Sequence, residues 1–553
     1  MMNDPIFQLA SAMLAGLFLA ILATRPCVWV LNQVYRAKVL RLMMAEAGAT
    51  PAEEVPAAVR EPPPPGPRFE QVGDQRGGDG WHREPRNALL AAYGAAGLAY
   101  AVSMGALFAA AGGTGLGGWV VCAWAFAMPL AWTLPRMAGA RGWVTAFVFV
   151  GFLVAGWAAA VLEPSQHRIG EGGPGEILTW FALFAVALRA TWGRAVGSIA
   201  PLVYGAMLVV FAVLFAVLTV AAVHPALAVP ALAAAAVGLA WGGRRLAAMY
   251  VAKRLSDEMV LLSACWLVIT LWAFTLGAGA GYRDSREAVA RWLPLLALLP
   301  LVLFHVVLRA ALGRNAARRP ARPPLKLLFL RTFGARGRSE RLMEQIAVRW
   351  RYAGSINLIA GGDLASMSLE PHELVDFVRG RLASHFAKDE TEARRAVEAL
   401  DHAPDPNGRF RVNELFCHAD TWKGALHGAL AEVARGDGVV LLDFRGFSPR
   451  NAGCVYEMGH LVHHVPLSRA VFVLDGTSDV EAFEAGMRRA WAVMAADSPN
   501  RRQENATVRV FRLPRAKPSA VASLVDLLHR TASAPAAPAA APADAAPSLA
   551  LAG

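Results

Sequence analysis

Long apolar runs before residue 312 constrain the fold of this chain more than any other feature of its sequence. Each of nine runs is near the ~20 residues that a helix needs to cross a bilayer core. The runs are approximately Ile6–Thr24, Ala88–Ala111, Leu116–Leu134, Trp143–Leu162, Ile177–Trp192, Ile199–Val223, Ala226–Gly242, Met259–Ala278 and Trp292–Leu312. Hydrophobic residues make up 56% of the 553 residues and charged residues only 17%, which is unusual for a soluble protein. The sequence therefore predicts a multi-pass α-helical membrane bundle of about nine helices.

Basic residues fall on every second loop between these runs, and the intervening loops are short, neutral or mixed in charge. The basic groups are Arg25/Arg36/Lys38/Arg41, Arg136/Arg141, Arg189/Arg194, Arg244/Arg245/Lys253/Arg254 and Arg309/Arg314/Arg318/Arg319. Under the positive-inside rule, the amino terminus lies outside the cell (inner) membrane and the carboxyl-terminal domain is cytoplasmic. This clustering also explains the net charge of +12, so we expect the lipid bilayer as a partner and no nucleic acid.

Composition divides the chain into further segments. Residues 1–24 are the first transmembrane helix, and 25–87 are an amphipathic segment followed by a flexible Pro-rich cytoplasmic linker, because Pro62–Pro65 and several glycines lie there. Residues 88–312 hold transmembrane helices two to nine, and 313–324 form a basic hinge. Residues 325–531 are the cytoplasmic domain, and the Ala/Pro-rich tail of 532–553 is expected to be disordered.

In the cytoplasmic domain, runs of strand length alternate with helical stretches. The predicted strands are Leu325–Phe333, Ile356–Ala360, Phe410–Cys417, Val439–Asp443, Ala470–Asp475 and Thr507–Leu513. Strands that alternate with helices are typical of βαβ units. The sequence therefore predicts a doubly wound α/β domain with a mainly parallel sheet.

One stretch of this domain carries the main candidate site. An apolar strand ends at Asp443, a turn with Ser448 follows, and Asn451 can cap the next helix. Ligands of open α/β sheets bind beyond the carboxyl ends of the strands. Glu457 lies about two turns into that helix, where a carboxylate facing a sugar-sized hollow can stabilise or attack an oxocarbenium-like centre. The alternative is a structural glutamate that hydrogen-bonds to the preceding loop.

Three other features bear on chemistry. The segment Gly334–Arg338 can hold a phosphate at a helix N-terminus or can be an exposed basic loop. His460, His463 and His464 have helical spacing suited to a metal, although without a clear further ligand, and solvated histidines are the alternative. Trp422 is interpreted as a packing residue rather than a stacking platform.

The segment from Asn451 to Met458 resembles two related families. Toll/interleukin-receptor (TIR) domains have a Ser-Pro-containing loop and then Trp-Cys-x-x-Glu-Leu, and here Ser448-Pro449 precedes Cys454-x-x-Glu457-Met458, with Gly453 in place of the tryptophan. Nucleoside 2-deoxyribosyltransferases have Asp-x-Gly-x-x-x-Glu, and here Asn451 replaces the aspartate before Gly453 and Glu457.

The resemblance implies a flavodoxin/TIR-like domain in which Glu457 is the catalytic carboxylate at the anomeric carbon of a ribosyl group. It implies NAD or another nucleotide as substrate, with no separate cofactor and no metal, and self-association through the domain. The implied ligand-binding residues are Thr332, Phe333, Gly334, Arg336, Asp443, Ser448, Asn451 and Gly453.

Three functions are therefore open. The first is membrane-anchored signalling or defence through nucleotide binding, including hydrolysis of the N-glycosidic bond of NAD. The second is a non-catalytic membrane-bound interaction module. The third is a transporter with a regulatory nucleotide-binding domain, although the apolar runs carry few of the intramembrane charges that mark transport sites.

Overall fold

The structure is a computed structural model of the chain. It describes residues 5–45, 65–73, 80–112, 116–162, 199–223, 225–280, 296–319, 323–331, 338–359, 371–418, 420–436, 438–501, 503 and 506–534. Within these ranges the chain is mostly helical and contains one seven-stranded parallel sheet.

The helical region precedes residue 320. Its helices are α1 (Pro5–Met44), α2 (Arg83–Gly112), α3 (Leu116–Phe126), α4 (Met128–Met137), α5 (Gly142–Leu162), α6 (Ala200–Val223), α7 (Ala228–Val251), α8 (Asp257–Ala280) and α9 (Leu298–Ala317). In their interior Tyr100 of α2 donates a hydrogen bond to the carbonyl of Trp266 in α8 at 3.0 Å. The Trp266 indole in turn donates to the carbonyl of Phe126 at 3.2 Å, so these helices are joined by polar as well as apolar contacts.

Three described helical segments are long and apolar enough to cross a membrane, namely Arg83–Ala110, Pro225–Val251 and Leu298–Ala317. A fourth crossing results if α3 and α4, which meet at an angle of 42°, form one bent span. The bend has a local cause, because Pro129 begins the first turn of α4 and cannot continue the preceding helix. The described residues thus contain fewer candidate spans than the nine predicted. The predicted helix at 177–192 lies outside them.

Described parts of the segment 25–87 form regular secondary structure. The first helix does not end near residue 24, since α1 continues to Met44. Arg68–Val72 forms strand β1, which lies parallel to the last strand of the sheet. Phe69 packs edge-on against Phe483, with ring centroids 6.1 Å apart. The prediction of a flexible linker was wrong for this strand because its hydrogen-bond partner is about 440 residues away along the chain and leaves no local signal.

All six predicted strands of the α/β domain are present. They are β2 (Leu325–Arg331), β3 (Gly354–Ile359), β4 (Val412–Leu415), β5 (Gly438–Asp443), β6 (Ala470–Leu474) and β7 (Thr507–Arg512). The sheet order is β1-β7-β6-β5-β2-β3-β4, and every pairing is parallel. Without β1 this is the six-stranded 3-2-1-4-5-6 order of a doubly wound fold.

This order corrects the flavodoxin/TIR-like expectation, which implies the order 2-1-3-4-5. In this chain β4 stays on the same side as β3, and the chain crosses to the other side of β2 only afterwards. The reversal of strand order is therefore one strand later than predicted, and it falls between β2 and β5.

Helices cover both faces of the sheet. The helices of the domain are α10 (Arg338–Trp350), α11 (Pro371–Val378), α12 (Glu390–Glu398), α13 (Trp422–Ala434), α14 (Ala452–His464), α15 (Val480–Ala492) and α16 (Pro518–Ser533). Leu327 and Phe329 of β2 pack with residues of α10 and α16, whereas Leu328 and Leu330 pack with residues of α13, α14 and α15. Alternate side chains of a strand point to opposite faces, so both faces of β2 are buried.

The junctions of the domain with the rest of the chain are also structured. Arg319, in the predicted basic hinge, donates from Nη1 to the carbonyl of Gly408 at 2.8 Å. At the other end α16 extends to Ser533, and residues 535–553 of the predicted disordered tail lie outside the described residues. The hinge is therefore held against the loop between β3 and β4.

Candidate functional site

The candidate site lies where β2 and β5 end side by side. The register pairs Arg331, the last residue of β2, with Asp443, the last residue of β5. The strand order reverses between these strands, which is where open α/β sheets form a ligand crevice. Four predicted ligand-binding residues, Thr332, Phe333, Gly334 and Arg336, follow β2 directly and lie outside the described residues.

Glu457 is buried in the middle of α14, with 3% of its surface exposed. Its Oε2 has no hydrogen-bond partner in the described part of the chain. Burial raises the pKa of the Glu457 carboxyl to about 8, and the nearby positive charge of Arg331 opposes this shift. The side chain is therefore mainly protonated at neutral pH. The sequence also allowed a structural glutamate that hydrogen-bonds to the preceding loop, but Oε2 makes no such bond in the described part of the chain.

A small cavity adjoins this carboxyl. Its described walls are Phe329, Leu330, Arg331, Ile359, Trp422 and Glu457. The space admits about one water molecule. Among the described residues this cavity is smaller than the sugar-sized hollow predicted beside Glu457, and Trp422 from the start of α13 and Ile359 from the end of β3 are two of its walls.

Asp443 is engaged within the protein. Its Oδ1 accepts from Arg445 Nε at 2.6 Å, and its Oδ2 accepts from Arg445 Nη2 at 2.6 Å and from Ser339 Oγ at 2.7 Å. Arg445 Nη2 also donates to the carbonyl of Arg338 at 3.0 Å. The ligand role of Asp443 stays a prediction, and in the described structure both of its oxygens bond within the protein. The aspartate fixes the loop after β5 to the start of α10, because Arg445 lies close enough to saturate both oxygens.

Ser448 and Asn451 contact each other. The Asn451 Oδ1 accepts from the Ser448 backbone N–H at 2.8 Å and from Ser448 Oγ at 3.1 Å. Asn451 occupies the N-cap position of α14, but its side chain makes no capping hydrogen bond, in contrast to the prediction. Gly453 lies in the first turn of α14 and is half-buried. None of the three lines the described cavity of Glu457, which lies one turn further into the helix.

Two cavity residues were not assigned to the site from the sequence. Trp422 was interpreted as packing, and it does pack edge-on against Tyr456 with centroids 5.3 Å apart, but it also forms a wall of the cavity. Ile359 is the last residue of β3, and its apolar side chain gave no indication in the sequence of a role in binding or catalysis. The feature that could have indicated them is their position at the carboxyl ends of strands, Ile359 at the end of β3 and Trp422 shortly after β4, since the carboxyl ends of parallel strands share one edge.

The histidines of α14 form a cluster with His427 of α13. The ring centroids of His427 and His460 are 4.2 Å apart, and those of His460 and His464 are 5.8 Å apart. Within the described residues, no group of three or more His, Cys, Asp or Glu side chains is arranged to hold a metal ion. The His460 and His464 rings are stacked, whereas the His427 and His460 rings are tilted by 35°.

No protein-family model matches the chain, and neither a curated protein nor a solved structure is significantly similar to it. The fold and the site therefore define the chain only as one with membrane-length helices and a doubly wound α/β domain. The resemblance of the Asn451–Met458 segment to TIR domains and deoxyribosyltransferases stays a prediction.

Proposed function

We propose that this chain is a membrane-anchored signalling or defence protein whose α/β domain binds a nucleotide at the carboxyl ends of β2 and β5. The observation that carries the proposal is the buried, unpartnered carboxyl oxygen of Glu457, which adjoins a cavity at this edge of the sheet. A buried polar atom without a partner costs free energy, and proteins retain such atoms mainly where they have a role.

The position of Arg331 supports an anionic ligand. Its guanidinium lies at the end of β2 on the wall of the same cavity, where the strand order reverses. The next residues in the sequence include Gly334, Arg336 and Gly337, which suit a phosphate-binding segment between a strand and a helix. A nucleotide would thus place its phosphates near these residues and its ribose towards Glu457.

We further propose that Glu457 acts on the N-glycosidic bond of NAD. Breaking that bond develops positive charge at the anomeric carbon, and a carboxylate beside it stabilises that charge. Nicotinamide leaves with the bonding electron pair, and water adds to the anomeric carbon. The Glu457 carboxyl, whose pKa burial raises to about 8, first gives its proton to solvent, and the positive charge of the bound nicotinamide ring and of the anomeric carbon favours this ionised form. Ribosyl access requires Trp422 to move, since the cavity admits about one water molecule.

A specific observation favours a second candidate, a non-catalytic interaction module. Glu457 is 3% exposed, and the described cavity beside it, which Trp422 and Ile359 help to line, admits about one water molecule rather than a ribosyl group. In that case the domain acts by association, including self-association, at the lipid bilayer.

Nicotinamide release by the full chain in lipid nanodiscs separates these candidates. We expect the wild type to release nicotinamide from NAD and Glu457→Gln to reduce the rate at least 100-fold, since the amide cannot ionise. A matched control is Glu484→Gln, which removes a half-exposed carboxylate of α15 and should leave the rate unchanged. Equal rates for wild type and Glu457→Gln, or no release by either, would reject the catalytic role and leave the interaction module.

The proposed membrane topology rests on the sequence pattern and on the described apolar helices. We propose nine crossings of the cell (inner) membrane, with the amino terminus outside and the α/β domain cytoplasmic, because basic loops alternate with neutral ones. Reporter fusions that are active on only one side of the membrane, placed at both termini, test this. Activity of both reporters on the same side would contradict an odd number of crossings.

A further inference from the structure

Four histidines lie together at the contact between α13 and α14, on the face of the sheet that carries Glu457. His427 belongs to α13, whereas His460, His463 and His464 belong to α14. The His427 ring lies 4.2 Å from that of His460 and 5.8 Å from that of His464. Tyr456 completes the cluster, with its ring 4.1 Å from that of His460 and its hydroxyl 3.1 Å from His427 Nε2. Imidazole rings thus take part in this contact beside buried aliphatic residues such as Leu426 and Leu461.

The hydrogen bonds of the cluster require neutral rings. His460 is 4% exposed, and neither of its ring nitrogens has a partner in the described part of the chain. His463 Nδ1 accepts a hydrogen bond from the backbone N–H of Ala495 at 2.8 Å, so that nitrogen carries no proton. An imidazolium has two N–H donors, and both would need acceptors around the buried His460, whereas His464 is exposed and can be solvated. Protonation therefore conflicts with the packed arrangement.

The charged side chains around the cluster do not compensate for the cost of protonating its rings. Lys423 of α13 lies 4.9 Å from the centre of the Tyr456 ring, and it disfavours a further positive charge. From α12, Glu390 favours a charged His427 and Arg394 opposes it, while these two side chains pair with each other at 3.2 Å. Asp497, after α15, favours charged His463 and His464.

Burial has the largest effect on the pKa of each histidine in the cluster. It lowers the pKa of His427, His463 and His464 below the ordinary value of 6.5, and that of His460 to about 3. The folded contact therefore binds fewer protons than the opened one, and it loses stability as the pH falls through about 6.5.

The two helices that the cluster joins also carry two walls of the Glu457 cavity. Trp422 is the first residue of α13, five residues before His427, and Glu457 lies three residues before His460. We propose that His427 and His460, whose rings are in closest contact across the two helices, form an acid-sensitive latch, in which neutral rings hold α13 against α14 and protonated rings separate the helices and widen the cavity. This inference is independent of the proposed function, because the latch acts on the helices whether or not the cavity binds a ligand.

Hydrogen exchange of the full chain in nanodiscs at pH 7.5 and pH 5.0 tests the latch. After correction for intrinsic exchange rates, we expect the opening equilibrium of α13 and α14 to increase about 30-fold at pH 5.0, which is the effect of one histidine whose pKa is about 3 closed and 6.5 open. Helices α10 and α16, on the opposite face of the sheet, should keep their protection.

Variants distinguish the acid-sensitive latch from a general loss of stability of the protein in acid. His460→Phe keeps an aromatic ring but cannot titrate, so its α13 and α14 should respond far less to acid. His427→Phe gives the same comparison from the facing helix if His460→Phe does not fold. His529→Phe is the matched control, because His529 stacks on Trp81 at 4.3 Å outside the cluster, and it should respond like the wild type. The latch is overturned if wild-type protection does not depend on pH, if the foldable cluster variant responds like the wild type, or if α10 and α16 lose protection equally.

Discussion

Arg409, in the connection between β3 and β4, binds Glu258 at the start of α8 through two parallel hydrogen bonds. Nη1 lies 2.7 Å from Oε1 and Nη2 lies 2.8 Å from Oε2. Asn407 Nδ2 donates to the same carboxylate at 2.8 Å, and its Oδ1 accepts from Tyr93 of α2 at 2.9 Å. Lys253, before α8, pairs with Asp401 at 2.6 Å. A single loop of the α/β domain is therefore fixed by polar contacts to two parts of the helical region.

Replacing Arg409 should loosen this junction. We expect Arg409→Gln to lower the free energy of unfolding by about 3 kcal/mol, because it leaves a largely buried carboxylate without its charged partner. The control is Arg488→Gln, which breaks an exposed pair with Glu484 and should cost less than about 0.5 kcal/mol. Denaturant unfolding in detergent measures both. Similar small losses for the two variants would show that the junction does not depend on this pair.

A double-mutant cycle should show that Asp443 has a structural role. Asp443→Leu and Arg445→Met should each cost about 3–5 kcal/mol, because each leaves the other charge buried and unpaired. The double variant should be less destabilised than the sum of the two, since both charges are then absent. Additive losses, measured by denaturant unfolding, would instead indicate that the two side chains act separately.

Because of Glu457, the free energy of unfolding should decrease as the pH rises. The pKa of its carboxyl rises from 4.5 to about 8 on folding, so its neutral form is favoured and stability is lost as the pH rises from about 4.5 through 8. We expect Glu457→Gln to match the wild type at pH 4.5 and to exceed its free energy of unfolding by on the order of 3–5 kcal/mol at pH 8.5. Chemical unfolding at the two pH values measures this. A constant difference between the two proteins would contradict the raised pKa.

Two glycines should respond to alanine in opposite directions. A Cβ on Gly354, at the start of β3, would lie 1.7 Å from the backbone oxygen of Leu325, so Gly354→Ala should cost about 3 kcal/mol or more by displacing β3 from β2. A Cβ on Gly459, within α14, has no neighbour within 4 Å, and Gly459→Ala should gain about 0.5–1 kcal/mol from helix propensity. Thermal unfolding compares them, and a neutral Gly354→Ala would mean that the β2–β3 contact is looser than described.

The pattern of the sequence was sufficient for the strands and helices of the α/β domain. The run Val439–Leu442 is apolar throughout because both faces of a central parallel strand are covered, and this property can be read from the local residues. The same reasoning placed Glu457 on a helix next to the carboxyl edge of the sheet, where the structure has it. It missed strand β1, whose five residues carry no pattern without β7 beside them.

The roles of individual site residues could not be obtained in this way. Asp443 has the position of a ligand-binding residue, but Arg445 and Ser339 use its oxygens. His427 lies 33 residues before His460 in the sequence, and only the packing of α13 on α14 brings their rings together. Contacts of this kind depend on how helices pack, and periodicity gives no information on which side chains then meet.

By itself, the sequence determined that this chain has membrane-length apolar helices and a parallel α/β domain, because hydrophobic periodicity and run length are local properties. Only the tertiary structure decided the strand order, the position of Trp422 beside Glu457 in one cavity and the pairing of Arg409 with Glu258. The physical reason is that these features join residues that are distant in the chain, and their energies come from burial and pairing that exist only once the elements have packed.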